Sequence, residues 1–213
     1  TAPRMDDDHF GEAVDVHGDR IAVGAVWTEA RGEKSGAVYV FDHDGVGWQQ
    51  SAQVIDSGGR ALDHFGSELD LHGDMLLVGR EAESGGDSGP ILFRRNSGGE
   101  WVEDARLLDS ETDPNSARIV EIVLNNTAAL VAVEEGGGDD TVLGVVTFEK
   151  DADGAWSEHS RGEVGRGADA DGGKLVLASV GDRFYLGMPG GAVGAVKHWL
   201  ADPRLCAEDG RCV

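Results

Sequence analysis

The sequence predicts an all-β fold built from four copies of one four-stranded antiparallel unit, and three observations lead to it. A short phrase recurs at nearly constant spacing, apolar and polar residues alternate around it, and no stretch shows the 3.6-residue apolar period of a helix. The phrase reads HGDRIAVG at 17–24 and HGDMLLVG at 72–79, with degenerate copies NNTAALVA at 125–132 and VGDRFYLG at 180–187. The copies therefore follow one another at steps of 55, 53 and 55 residues.

Each unit is predicted to hold four strands joined by tight turns. The first strand alternates, as at Val14 and Val16, and after a Gly-Asp turn the second strand begins at Ile21. A variable, acidic, Gly-rich loop then leads to a third strand that starts near Gly36. After a second turn, the fourth strand opens on a tryptophan in three of the units: Trp48, Trp101 and Trp156.

Four-stranded units of this length in series are typical of β-propeller blades, because a single such sheet cannot bury both of its faces. Four periods account for nearly all 213 residues, so we expect one β-propeller domain over 1–213. The predicted blades cover about 6–57, 61–109, 114–164 and 169–213. In the last blade the run at 174–177 also fits the second-strand pattern, which leaves the register there open.

Short motifs recur at fixed places in the units: FG at 10–11 and 65–66, GAV at 24–26 and GMP at 187–189. They resemble the FG-GAP repeat, the blade of integrin α-subunit propellers and of many bacterial extracellular proteins. The third unit departs from the pattern. The resemblance implies a propeller, and propellers of this family usually have seven blades. Four blades could therefore close alone, belong to a larger ring, or form half of a ring that a partner completes.

The net charge and the absence of an apolar span limit the classes of binding partner and the cellular compartment that we expect. The chain holds 40 acidic and 18 basic residues, a net charge of −22, which repels nucleic acid and anionic membrane. No apolar run approaches the ~20 residues of a membrane span. A start at Thr1 suggests a mature or trimmed chain. We expect a secreted or extracellular protein, at the cell surface or in the periplasm, with neither nucleic acid nor membrane insertion among its interactions.

The only two cysteines, Cys206 and Cys212, flank a segment that can turn at 208–210. We expect a disulfide between them that fixes the last strand, worth about 2 kcal/mol in the chain-entropy description. A metal site is the weaker alternative, because two thiols supply half a zinc shell. A disulfide implies an oxidising compartment.

Motifs for catalysis or metal binding are absent or incomplete. The sequence has no GxSxG elbow, no HExxH helix and no Walker loop. Two histidine pairs, His9 with His64 and His17 with His72, occupy equivalent places in the repeat, which predicts a structural role. Asp-x-Asp-Gly at 42–45, 151–154 and 169–172 offers two carboxylates where calcium takes roughly six to eight oxygens, so we expect turns there. Calcium remains a candidate ligand, and no motif in the sequence requires a cofactor.

The loops between second and third strands form the candidate binding surface, since function concentrates on variable loops held by a rigid scaffold. We expect them to share one anionic face that binds a cation or a basic partner, with a tryptophan outside the repeated Trp positions as a direct contact. The same loops hold many acidic residues and only three basic ones: Arg31, Lys34 and Arg80. The predicted site comprises Trp27, Glu29, Glu33, Glu81, Glu83, Asp87, Glu134, Glu135, Asp139 and Asp140.

These features favour a non-catalytic extracellular binding or adhesion module with a protein or carbohydrate ligand. One alternative is a carbohydrate-active lyase or hydrolase, in which carboxylates from two loops about 5–10 Å apart perform acid–base chemistry. A strongly raised pKa on one loop acid would favour that enzyme. Another alternative is a structural fragment of a larger secreted protein. A homo-oligomer is expected if four blades do not close alone.

Overall fold

The computed structural model shows an all-β chain, as predicted. Its described part contains strands and turns without a helix, and hence no helix that could cross a membrane. The chain divides into two compact units, 1–119 and 120–213, which are taken separately below. The described residues are 8–81, 89–108, 118–136, 141–166, 176–180, 183–188 and 195–200.

The strands form four propeller-like sheets, in each of which neighbours in sequence pair antiparallel. The first sheet contains β1 (Phe10–His17), β2 (Arg20–Ala25), β3 (Ala37–His43) and β4 (Trp48–Val54). The second contains β5 (Leu69–His72), β6 (Met75–Val78), β7 (Ile91–Arg95) and β8 (Trp101–Arg106). The third contains β9 (Arg118–Leu124), β10 (Ala128–Glu135), β11 (Val142–Lys150) and β12 (Trp156–Arg166). The last contains β13 (Val176–Val180), β14 (Arg183–Met188) and β15 (Ala195–Leu200).

The strand pattern agrees closely with the repeat. Tryptophan is the first residue of β4, β8 and β12, as the sequence predicts. In the last sheet Val176–Val180 pairs antiparallel with Arg183–Met188, so 176–180 is a first strand, 183–188 is the second, and the alternative register is wrong. The prediction of a single domain over 1–213 stays a prediction.

The core of the first unit lies between the first and second sheets. On β3, Val38 and Val40 are fully buried, whereas the intervening Tyr39 is only half-buried. This alternation is what a strand with one covered face shows. The valines pack with Phe65, Leu76 and other apolar residues of the second sheet.

The second unit has its own core, formed by β9, β10, β11, β13 and β14. Leu130, Val145 and Leu186 are buried in it, together with the aromatic ring of Phe184. The hydroxyl of Ser179 on β13 donates to the carbonyl oxygen of Leu124 on β9 at 3.2 Å, which links the first strands of the two sheets.

Candidate functional site

An open cleft of about 490 Å³ lies at the ends of the first two sheets, between their first turns. It is called the turn cleft below. The turn at 18–19 and the turn at 73–74 line it, and Asp42 from β3 and Arg95 from β7 complete it. Every lining residue belongs to the first unit.

The two turns owe their geometry to glycine. His17 pairs with Arg20 and His72 with Met75, so each hairpin has a two-residue loop. The first loop residue is a glycine with positive φ, 58° at Gly18 and 60° at Gly73, a conformation that glycine adopts without steric cost. The Gly-Asp turns are therefore confirmed, and they place two aspartates at corresponding points of the cleft.

An ion-pair network spans the floor of the turn cleft. The Nε of Arg20 donates to Oδ1 of Asp42 at 2.8 Å, and Nη2 of Arg95 donates to Oδ2 of the same carboxylate at 3.2 Å. The Nη1 of Arg20 donates to the carbonyl oxygen of Gly73 at 2.6 Å and to Oδ1 of Asp74 at 3.1 Å. Its guanidinium also lies 5.4 Å from the centre of the Trp101 ring. Side chains of both sheets thus hold one another in place.

Asp42 is kept ionised by this network. Burial raises the pKa of its carboxyl, but hydrogen bonds from Arg20 and Ser51 and the charges of Arg20 and Arg95 outweigh burial. The pKa therefore lies below its ordinary value, and Asp42 remains a hydrogen-bond acceptor at neutral pH.

Aromatic side chains border the same cleft. The rings of His17 and His72 lie 4.6 Å apart, so this equivalent pair is in contact between the two sheets. His43, at the end of β3, meets the edge of Trp48 with ring centres 5.1 Å apart. The Trp48 side chain is 43% exposed, so an aromatic surface is accessible beside the polar cleft.

On the opposite side of the first unit, Trp27 has intramolecular partners. Its ring stacks on His9 with centres 3.5 Å apart, and Nζ of Lys34 lies 4.3 Å from its centre. The Trp27 amide donates to the carbonyl oxygen of Asp8 at 3.1 Å. This tryptophan therefore fastens the start of the first sheet to the loop after β2, a role that the sequence did not reveal.

The loop after β2 also binds the segment that precedes the second sheet. The amides of Leu62, His64 and Phe65 donate to the carbonyl oxygens of Glu33, Lys34 and Ser35 at 2.8, 3.2 and 3.1 Å. The segment before the second sheet thus runs parallel along the loop at 33–36. Since its backbone is used internally, this loop is less free than the predicted binding role requires.

The structural role predicted for the paired histidines before the FG motifs is supported by their backbone. His9 and His64 both have positive φ, 50° and 48°, a region that histidine enters more readily than most residues. Nδ1 of His64 lies 3.1 Å from the carbonyl oxygen of Glu81. The two histidines thus shape the same turn in two consecutive repeats.

The predicted acidic residues are placed differently from one another. Glu29 and Glu33 are exposed on the loop after β2. Glu81 lies 3.7 Å from Arg118, and Glu135 lies 3.3 Å from Arg161.

Glu134 and Glu135 belong to β10, so their assignment to a loop was wrong. The strand continues because it pairs with β11 through Glu135. Four of the predicted acids, and both cysteines, lie outside the described residues: Glu83, Asp87, Asp139, Asp140, Cys206 and Cys212.

The sequence grouped Arg80 with the basic residues of the candidate loop face, but the structure gives it a different role. It is buried, and its Nη1 donates to Oδ2 of Asp56 at 2.8 Å. Nη2 of Arg106 donates to Oδ1 of the same carboxylate at 2.6 Å, and the Gly58 amide donates to it at 2.9 Å. Burial raises the pKa of Asp56, but these hydrogen bonds and the two arginine charges hold it below its ordinary value.

The Asp-x-Asp-Gly segments act as turns where the structure describes them. Oδ1 of Asp44 accepts hydrogen bonds from the amides of Val46 and Gly47, both at 2.8 Å. Asp151 does the same for the amides of Asp153 and Ala155, both at 2.9 Å. The segment at 169–172 lies outside the described residues. Within the described ranges, no group of three or more His, Cys, Asp or Glu side chains is arranged to hold a metal.

Because the candidate surface was placed on the loops between second and third strands, the sequence did not predict the turn cleft. Its one sequence signal is Arg20, a basic residue directly after a Gly-Asp turn in a strongly acidic chain. Arg20 reaches Asp42 and Asp74, which are 22 and 54 residues away, so the cluster exists only after the sheets pair and pack.

The comparison with protein-family models agrees with the repeat. A family model described as FG-GAP repeat matches residues 4–41 and 48–91. A search of curated proteins found no match. The β-propeller domain of Vanderwaltozyma polyspora Nup133 is similar at 10% identity and TM-score 0.46, over 88% of this chain and 60% of that one. A Bombyx mori GH32 β-fructofuranosidase mutant in complex with sucrose is similar at 12% identity and TM-score 0.46, over 95% of this chain and 47% of that one.

The chain thus spans less than two thirds of the length of either solved structure. The family match covers the first two repeats, where the FG motifs at 10–11 and 65–66 and the GAV motif at 24–26 stand. Residues 4–41 and 48–91, which form the first two repeats, therefore match the FG-GAP repeat.

Proposed function

We propose that the chain is a non-catalytic extracellular binding module whose ligand site in the first unit is the turn cleft. The observation that carries this proposal is the floor of the cleft, where Asp42 is held by Arg20 from its own sheet and Arg95 from the next. Polar groups that are fixed before a ligand arrives lose little freedom on binding. The cleft volume also falls within the range of about 300–1,000 Å³ that is usual for small-molecule sites.

The carboxyl groups favour binding over acid–base catalysis. A glycosidase-type mechanism needs one carboxyl whose pKa is raised, so that it can donate a proton at neutral pH. The carboxyl pKa values of Asp42, Asp44 and Asp56 are all lowered, so none of these three groups holds a proton to donate at neutral pH. Carboxylates held ionised serve as fixed acceptors for a ligand.

A second candidate surface is the exposed acid pair on the loop after β2. Glu29 and Glu33 are exposed, and their carboxylates form no ion pair with any described residue, whereas Glu81 and Glu135 do. These two carboxylates are the described part of the predicted anionic face, in the first unit, that suits a basic partner. An extracellular setting is supported by the FG-GAP match and by the net charge of −22.

The test follows the histidine signals of the whole chain by NMR while glucose, citrate and spermine are added separately. We expect at least one probe to shift the signals of His17, His43 and His72, which lie in or beside the turn cleft, and to be recovered unchanged. Chemical conversion of a probe would contradict the non-catalytic proposal and indicate an enzyme. Shifts confined to His9, which stacks on Trp27, would move the site to the loop face. Signals that no probe moves would overturn the proposal.

A further inference from the structure

We infer that the ligand of the turn cleft is a neutral saccharide, an inference that rests on the proposed binding function. The first step is the mixture of hydrogen-bonding groups. Asp19 and Asp74 offer exposed carboxylate oxygens, and Asp74 is 69% exposed. Arg20 and Arg95 line the same cleft with donors. A sugar hydroxyl both donates and accepts, so it can use both kinds of group at once.

The arginines retain donor capacity after their internal bonds are made. Arg20 uses Nε and Nη1, and Arg95 uses Nε and Nη2, in their hydrogen bonds to described residues. A guanidinium carries five N–H donors, so Nη2 of Arg20 and Nη1 of Arg95 have no partner within the described residues. The internal bonds fix the guanidinium planes, and the remaining N–H groups are left for a ligand oxygen.

The charge of the cleft argues against an ionic ligand. With neutral histidines, the cleft is lined by three negative and two positive side chains, so its charges nearly balance. They are Asp19, Asp42 and Asp74, and Arg20 and Arg95. A ligand anion would meet three carboxylates, and a ligand cation would meet two guanidinium groups. The chain as a whole, at −22, would also repel an acidic polysaccharide. A neutral polar ligand meets neither penalty.

Trp48 supplies the apolar part of saccharide recognition. A pyranose ring has C–H faces that pack on an aromatic ring, while its hydroxyl groups point to the sides. Trp48 is 43% exposed and is held at the edge of His43, which lines the cleft. An accessible indole beside interleaved donors and acceptors therefore fits a sugar better than it fits a simple ion.

The test is an array of neutral mono- to tetrasaccharides with a matched panel of uronate and sulfated saccharides, followed by calorimetry on the tightest neutral binder. The variants are Trp48→Ala and Asp74→Ala, both at exposed side chains, and Glu29→Gln, which tests the loop after β2. Asp153→Asn, at an exposed turn of the second unit, is the control. We expect each cleft variant to weaken neutral-saccharide binding about tenfold or more, with the control within about twofold. The affinity should stay within about twofold between about 50 and 500 mM NaCl, since no ligand charge is screened.

Four outcomes would overturn the inference. Binding that survives both cleft variants but is lost in Glu29→Gln would place the saccharide on the loop after β2. Binding of acidic or sulfated saccharides alone, weakening with salt, would replace the neutral ligand by an anion and leave the binding function standing. No saccharide binding, together with histidine shifts caused by citrate or spermine, would reject the ligand class alone. No saccharide binding and no histidine shift with any probe would reject the binding function as well.

Discussion

Gly24 on β2 and Gly66 before β5 are in direct backbone contact across the boundary between the first two sheets. A Cβ built on Gly24 would overlap the carbonyl oxygen of Gly66 and lie 3.1 Å from its carbonyl carbon. The glycine of the GAV motif at 24–26 is therefore required by the glycine of the FG motif in the next repeat. The spacing of the family's motifs is thus explained by close contact between consecutive sheets.

We expect Gly24→Ala to lower the free energy of unfolding by about 1–3 kcal/mol, because the atoms that the methyl group meets belong to backbone and cannot rotate away. Urea denaturation measures the loss. Gly47→Ala is the matched control, since a Cβ there meets nothing within 4 Å and its φ lies outside the left-handed region. The control should change stability by no more than about 0.5 kcal/mol. Equal losses in both variants would contradict the contact.

Phe65 and Phe10 occupy the same place in two consecutive repeats but differ in burial, 0% against 55% exposed. Phe65 packs on Phe93 with ring centres 5.8 Å apart and belongs to the core between the sheets. We expect Phe65→Ala to cost about 3–5 kcal/mol and Phe10→Ala about 1 kcal/mol or less. Thermal denaturation of both variants measures the difference. A comparable loss in Phe10→Ala would show that Phe10 is covered in solution.

The parts of the fold that the sequence predicted are local. The Gly-Asp turns at 18–19 and 73–74, the position of β1 and the tryptophans that open β4, β8 and β12 depend on a few neighbouring residues and on the period. The burial expected from the alternation along β1 was wrong, because Val14 and Val16 are 61% and 60% exposed. The extension of β10 through Glu135 could not be read from the sequence. The run there is acidic, and pairing with β11 keeps it in the sheet despite its charge.

The candidate site depends on contacts that no local pattern encodes. Arg80 looks like a loop cation in the sequence, but it is buried against Asp56, 24 residues away. The turn cleft likewise needs Arg20 and Asp74, 54 residues apart, to meet across two sheets. Sequence reasoning favoured the variable loops because variation is visible in a sequence. The convergence of repeated turns becomes visible only in three dimensions.

The predicted disulfide between Cys206 and Cys212 can be tested directly. With the bond intact, a thiol assay on the denatured, unreduced protein should find no free thiol, because the chain has no other cysteine. Reduction should lower the free energy of unfolding by about 2 kcal/mol, as expected for a short closed loop. Two titratable thiols before reduction would contradict the prediction.

The buried carboxylate of Asp56 should make stability depend on acid. Its pKa in the folded chain is lowered, so it contributes stability above its unfolded pKa of about 3.9 and loses it as the pH falls through the folded value. At pH 7, Asp56→Ala should cost about 3–5 kcal/mol, because it leaves the buried Arg80 without that carboxylate. Replacing the exposed Glu29 by Gln is the control and should change stability little.

The pH dependence separates the charge of Asp56 from its packing. Asp56→Asn keeps the shape of the side chain but removes its charge, so its deficit relative to the unmodified chain should be large at pH 7. That deficit should shrink as the pH falls below about 4, because the unmodified chain then loses the same charge by protonation. Urea denaturation at pH 7, 5 and 3 (about the range over which an aspartate titrates) gives the comparison. A deficit that stays constant across these pH values would show that Asp56 acts through packing and not through its ion pairs with Arg80 and Arg106.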